Sequence, residues 1–424
     1  MKRCLDELRE YIFNLEIVDT HEHLPAREDL REKPTDVLRE YLTHYLSSDL
    51  VSAGLSPENL QRARDIKIPL PDRWQIVAPY WEACRHTGYC RSLDIAVRDL
   101  YNIEEIRRDT IEELDAAFQK SLEAGQFNKV LKEKSKIRIS LLDSNPDCDR
   151  DFFRTVFRLD AYILPRTGEE IRTIEKEHGT RIASLEDWLE ACEACMDRWI
   201  AKGAVALKSA LAYLRTLKFE KVTRYEAERD FNAIFERRHF PDWEPDVFSI
   251  GKDFQDYMMH YILGLAGRRR LPVQIHTGIH AGNGNYIYHS DPSLLSNLFI
   301  AYPDVRFDLF HIGYPYHNVL GALAKTFPNV FIDMCWAHII SPNAATEALC
   351  EWIDTAPINK ISAFGGDYCF IDGVYGHQYL ARENVCRALS EKVEQGIFGV
   401  DRAKQIARML FYDNPLNLFG LKEI

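Results

Sequence analysis

The chain has 424 residues, 46% of them hydrophobic, enough to bury about three quarters of its unfolded surface in one compact body. Its formal net charge of −12 and pI near 5.7 exclude a surface built for nucleic acid or anionic membrane, because phosphate binding needs a positive field; a small-molecule substrate fits better. No apolar run reaches membrane-span length, the N-terminal MKRCLDELRE lacks a signal-peptide core, and the ten scattered cysteines suit reduced thiols in a cytoplasmic protein.

Residues 2 to 14 have the spacing of a short amphipathic helix that leads into the apolar run IVDTHEHLP, Ile17 to Pro25. From residue 27 to about 130 apolar residues recur at helical intervals and nothing reads as a strand. Strand-like runs then follow at 136–143, 152–160, 204–211, 271–278, 305–313, 329–336 and 360–367, separated by helical or loop sequence. With the opening run they make eight, several of them apolar for most of their length, as expected of parallel strands buried on both faces. The simplest closure is an α/β (β/α)8 TIM barrel with a helical insertion after strand 1. The barrel is expected from residues 1–26 and 131–424, with 27–130 as a helical cap. A doubly wound open sheet is the alternative, and no Gly-rich nucleotide fingerprint follows an early strand to support it. Cys192 and Cys195 form a CxxC within a helical pattern, which reads as core packing.

The polar residues that end these runs carry the chemistry. On a strand His21 and His23 share a face while Glu22 points away, so the two imidazoles can grip one metal ion. His276 ends strand five, His311 strand six and Asp367 strand eight, and in a barrel all these ends meet at the C-terminal mouth. Imidazole nitrogens and a carboxylate, with no thiolate, suit a divalent ion, zinc first, with manganese or iron as alternatives. Such an ion lowers the pKa of its water to about 7, and Asp367 can accept the proton released.

The segments VDTHEHL, QIHTGIHAGNGN, HIGYPY, NVFIDMCWAHIISP, FGGDY and FYDNPLNLFG together resemble the amidohydrolase superfamily, in its amidohydrolase 2 branch of metal-dependent hydrolases. The resemblance is strong from about residue 200 onward and in the first strand, and loose in the insertion. It implies metal ligation by His21, His23, His276 and Asp367, proton transfer by Asp367, and a substrate-polarising or second-metal role for His311. It leaves Lys208 with three readings: a carboxylated lysine bridging two metals, an ammonium that holds a substrate anion, or a side chain reaching for solvent. Arg158 and Arg215 offer forked donors to a substrate carboxylate, or structural ion pairs; Tyr314 and Trp336 offer an apolar wall, or simple packing.

The function expected is metal-dependent hydrolysis of a small polar, carboxylated substrate, with metal-activated water attacking a carbonyl-type carbon. The long insertion and the tryptophan of DMCWAH are also similar to uronate isomerases, so isomerisation or decarboxylation on the same site is the alternative. A non-catalytic, metal-stabilised binding protein is the alternative of a different class. A homo-oligomer stays open, with the insertion as its interface.

Overall fold

The computed structural model describes residues 2–143, 145–237 and 251–421. Eight parallel strands run in sequential order: β1 (Ile17–Glu22), β2 (Ile137–Asp143), β3 (Phe153–Arg158), β4 (Ala206–Ser209), β5 (Val273–Ile275), β6 (Phe307–Leu309), β7 (Val330–Asp333) and β8 (Ile361–Ser362). The sheet closes on itself through backbone bonds from Thr20 N to Phe364 O (3.0 Å) and from Asp367 N to His21 O (2.8 Å), making a (β/α)8 TIM barrel. All six residues of β1 are buried, without the alternation of a half-exposed strand, because helices cover the outer face and side chains fill the interior. Val18, Ile139, Val156 and Ala206 of β1 to β4 pack with Leu418, Phe419 and Leu421 of the C-terminal segment, an apolar cluster of their own.

The strands are shorter than the apolar runs suggest, most of all at β5 to β8. The last residues of each run leave the ladder and turn into the mouth, and His311 (φ 67), Trp336 (φ 62) and Asp367 (φ 56) do so in the left-handed region. Each non-glycine residue held there costs about 1–3 kcal/mol, which the surrounding packing offsets. The site residues therefore stand on backbone that their neighbours over-determine.

After α1 (Lys2–Asn14), the chain between β1 and β2 forms α2 (Val37–Tyr41), α3 (Leu46–Ser52), α4 (Pro57–Arg64), α5 (Leu70–Cys84), α6 (Gly88–Tyr101) and α7 (Ile111–Lys120). Tyr41 and Tyr101 both donate to Asp372 Oδ2, at 2.7 and 2.8 Å, tying these helices to the start of the helix Ile371–Glu394. That helix also approaches α6 so closely that a Cβ at Gly376 would lie 1.8 Å from Ser92 O. No helix among the described residues is long and apolar enough to cross a membrane.

Candidate active site

A bulge in β1 aims the two histidines. Asp19 pairs with Ser140 and Glu22 with Leu142, so three steps along β1 match two along β2. Asp19 and Glu22 are thereby brought to one side, where they accept from Gly366 N (3.0 Å) and Tyr368 N (2.9 Å) and clamp both flanks of Asp367. Burial raises both carboxyls, Asp19 to about 6 and Glu22 well above its usual range. The clamp is tight: a Cβ at Gly366 would lie 1.8 Å from Glu22 Oε1. The imidazoles of His21 and His23 meet at the mouth with ring centroids 5.0 Å apart.

The tautomer of His21 follows from its neighbour. Gln274 spends its amide hydrogens on Thr20 O (2.9 Å) and Asp308 Oδ2 (3.4 Å), leaving Oε1 to accept from His21 Nδ1 (3.2 Å). His21 Nε2 is then a bare lone pair, buried and without a hydrogen-bond partner, facing Asp143 Oδ2 and Asp367 Oδ1 at 3.8 Å each. His23 sits between the same two carboxylates, Nε2 at 3.1 Å from Asp367 Oδ1 and Nδ1 at 3.8 Å from Asp143 Oδ2. A lone pair aimed at two anionic oxygens is repulsive unless a cation lies among them, so this nitrogen and oxygen set fits a divalent ion of the zinc, manganese or iron class. Burial works against the charge of Asp143, yet positive charge around it, on His21 and His23 when they are protonated and on Arg158, outweighs it and holds the carboxyl at about 2. Arg158 makes a direct ion pair with Asp143.

Asp367 is the residue around which the rest is arranged. The Tyr45 hydroxyl, from the turn before α3, lies 2.7 Å from both its backbone oxygen and its Oδ2. Burial opposes ionisation of Asp367, but the hydrogen bond and charge of His23, then His311 and His21, carry its carboxyl well below the usual range. Tyr45 is pushed well above 10 by burial and by that carboxylate, so it stays a neutral donor. Its ring stacks on Trp336 (4.5 Å), which in turn stands edge-on to His311 (5.2 Å) as a buried wall. His276 donates Nε2–H to Ile279 O (2.8 Å) and turns its other nitrogen to His311 Nε2 (2.9 Å). The donor atoms that close up in threes are those of His21, His23 and Asp143, and of His311, Cys335 and Asp367.

Lys208 is buried with its ammonium 3.7 Å from the Phe310 ring centroid, and burial lowers its pKa although Asp367, Cys335 and Asp143 oppose this. Tyr314 follows His311 and accepts Ile279 N on its carbonyl (2.7 Å), fixing the backbone behind His276. Arg215 is not brought to the cluster: its guanidinium is enclosed and committed to Asp256 (2.7 Å), Gln255 (3.0 Å) and the carbonyls of Thr216 and Lys218. Of its two readings, the structural ion pair is the one these contacts fit. Next to His276, a cavity of about 340 Å3 is lined by Tyr213, His280, Asn283, Asn285, Tyr286 and His289, and the Tyr213 ring links it to His276 at 4.6 Å. Its loop is tied to α3 by Gly282 N to Ser48 Oγ (3.1 Å) and Asn283 Nδ2 to Ser48 O (3.0 Å). Three participants escaped the sequence reading. Asp143 ends a strand-like run just as Asp367 does and was there to be found; Cys335 sits beside Trp336 in a motif already singled out; Tyr45 carries no sequence signal.

Comparison with known proteins bears on the fold and the family. Protein fluG of Emericella nidulans is 26% identical over 178 residues, 41% of this chain but only 20% of the relative's length. A uronate isomerase from Thermotoga sp. (strain RQ2) is 20% identical over 441 aligned positions, covering 96% of this chain and 95% of the relative. The crystal structure of uronate isomerase from Thermotoga maritima superposes with a TM-score of 0.81 at 18% identity, over 98% of this chain and 97% of that one, a likeness of fold. The amidohydrolase family model matches residues 150–421, a span that contains β4 to β8 with His276, His311 and Asp367 at their ends. With the barrel closed and those three side chains gathered at its mouth, the match has a physical counterpart, and the chain belongs to the amidohydrolase family.

Proposed function

We propose that this chain is a metal-dependent isomerase of hydroxylated carboxylic acids of the uronate class, in place of the hydrolase expected from the motifs alone. The observation that carries the reading is Tyr45, a residue of the helices between β1 and β2, within hydrogen-bond distance of Asp367. The full-length match to uronate isomerases spans that region of the chain. His21, His23, Asp143 and Asp367 would hold the divalent ion, which when bound polarises substrate oxygens and acidifies the neighbouring C–H.

The protein groups divide the remaining work. Arg158, with its side chain 36% exposed at the mouth, attracts the acid's negative charge, and Lys208 adds a second cation beneath it. The cavity beyond His276 presents amide, imidazole and phenol groups that suit a chain of hydroxyls. Asp367, ionised at neutral pH, accepts the proton of a substrate hydroxyl, and Tyr45, kept protonated, returns one. Isomerisation moves one proton between adjacent carbons and another between their oxygens, leaving the formula unchanged. The test is incubation of the metal-loaded protein with D-glucuronate and D-galacturonate under NMR, alongside a panel of lactones and amides. Appearance of the ketose is the expected result. Inert uronates together with hydrolysis of a lactone or amide would return the chain to the hydrolase reading.

A further inference from the structure

The imidazole of His280, in the loop after β5, has a lone pair to which the scheme above gives no partner, and its state follows from one neighbouring amide. Asn285 Nδ2 lies 3.2 Å from His280 O and 3.3 Å from Gly282 O. Both carbonyls only accept, so Nδ2 spends its hydrogens on them and Oδ1 is the acceptor of that amide. Oδ1 faces His280 Nδ1 at 3.2 Å, so Nδ1 carries the ring hydrogen and Nε2 is bare. Burial lowers this imidazole to about 4, which keeps it neutral at pH 7. His280 Nε2 is buried and has no hydrogen-bond partner among the described residues. An enclosed acceptor of this kind carries a desolvation cost that a donor relieves.

His280 lines the cavity of about 340 Å3 beside His276, with ring centroids 5.4 Å from His276 and 4.7 Å from Tyr213, on which it stacks at 28°. The loop that carries it is fastened on two sides, by Ala281 N to the Tyr213 hydroxyl (3.0 Å) and by Gly282 N to Ser48 Oγ (3.1 Å). The acceptor is thus held in place before any ligand arrives. No Asp, Glu, Lys or Arg lines this cavity, so it suits a neutral group that donates a hydrogen bond. We propose that His280 is a specificity residue whose Nε2 accepts a hydrogen bond from a hydroxyl of the substrate's carbon chain, while Arg158 at the mouth attracts the acid end. The proposal rests on the uronate reading and says how the site tells a polyhydroxy acid from a plain one. An acid of the same length without chain hydroxyls leaves Nε2 unpaired, and a site built around such a bond rejects the analogue that lacks it.

Calorimetry with L-gulonate on the zinc-loaded full-length chain tests this without turnover, because that acid is D-glucuronate with its aldehyde reduced and has no carbonyl to isomerise. His280→Leu is expected to bind L-gulonate at least ~10-fold more weakly than wild type, and His280→Gln, whose amide oxygen can stand where Nε2 does, to come back within ~3-fold. 6-Hydroxyhexanoate keeps both ends of the chain and lacks the hydroxyls between them, so wild type and His280→Leu are expected to bind it alike. Thermal melts and equal zinc content show that each variant folds. Undiminished L-gulonate affinity in His280→Leu, an equal loss for both acids, or a wild type that does not bind L-gulonate overturns the proposal. The isomerase reading fails separately: L-gulonate binding that depends on His280, with inert glucuronate and galacturonate, removes that reading and keeps the subsite, whereas ketose formation with undiminished affinity in His280→Leu does the reverse.

Discussion

Replacing Asp143 by Asn keeps the shape of the side chain and removes its charge. The Asp143 carboxyl is held at about 2 against an ordinary 3.8, a difference worth about 2–3 kcal/mol in favour of the carboxylate. Burial acts against that value, and positive charge on His21 and His23 when they are protonated, on Arg158 and on Lys208 supplies it. In the variant the Arg158 guanidinium loses its ion-pair partner, and His21 Nε2 and His23 Nδ1 each lose an anionic oxygen at 3.8 Å. Zinc affinity, measured at pH 7 by competition with a chromophoric chelator, is expected to fall about ten- to a hundred-fold, and the metal-free chain to lose about 2–3 kcal/mol in urea unfolding. The pH dependence has a definite sign. A carboxyl depressed in the folded chain binds fewer protons than the unfolded chain between about 2 and 3.8, so its contribution is complete above 3.8 and disappears as the pH falls through about 2. The stability gap between wild type and variant should thus close in acid as the pH falls through about 3.8 to 2. Unchanged zinc affinity in Asp143→Asn would refute the assignment of Asp143 to the metal site.

Tyr45→Phe keeps the stacks on Trp336 (4.5 Å) and Tyr89 (5.3 Å) and removes only the donor to Asp367; steady-state kinetics on the uronate should show kcat down about 10- to 100-fold with KM nearly unchanged, from the loss of a hydrogen bond to a charged acceptor worth about 1.5–3 kcal/mol. Glu40 is raised by burial to about 7, with Arg31 opposing and Asp372 adding, so ionising it costs stability as pH climbs from 4.5 to 7; Glu40→Gln should exceed wild type by up to about 3 kcal/mol at pH 8 and much less at pH 5 in urea melts. Arg215→Ala removes one of the two cations that pair with Asp256, leaving Lys252, and should cost about 1.5–3 kcal/mol in unfolding experiments, while the folded fraction keeps its KM, as fits a structural ion pair.

Most of the scaffold was legible because its signals are local. Runs such as IRISLLD and VFID are apolar for most of their length, which marks parallel strands covered on both sides, and eight of them separated by helical sequence left a barrel as the natural closure. The gathering of His21, His23, His276, His311 and Asp367 followed from the same logic, since strand ends converge. Strand lengths were overstated because His311, Trp336 and Asp367 abandon the ladder through left-handed backbone, a conformation that side-chain patterns do not announce. Asp143 escaped notice because a single acid at a strand end is common, and only the bare nitrogen of His21 facing it shows that it matters. Tyr45 was out of reach, since its place beside Asp367 is decided by how a helical segment folds across the mouth. Arg215 stayed open between a substrate carboxylate and a structural ion pair for a related reason: its partner Asp256 lies on the distant helix Lys252–Arg269, and only the fold brings the two together.

The central claim is that these side chains gather metal at one mouth of the barrel, and crystallography at the metal's absorption edge tests it most directly. Crystals of the zinc-loaded protein should give an anomalous peak about 2.0–2.2 Å from His21 Nε2, in contact with His23 and with the carboxylates of Asp143 and Asp367. Zinc-loaded crystals with no anomalous density among His21, His23, Asp143 and Asp367, or with zinc bound only elsewhere on the molecule, would contradict the account.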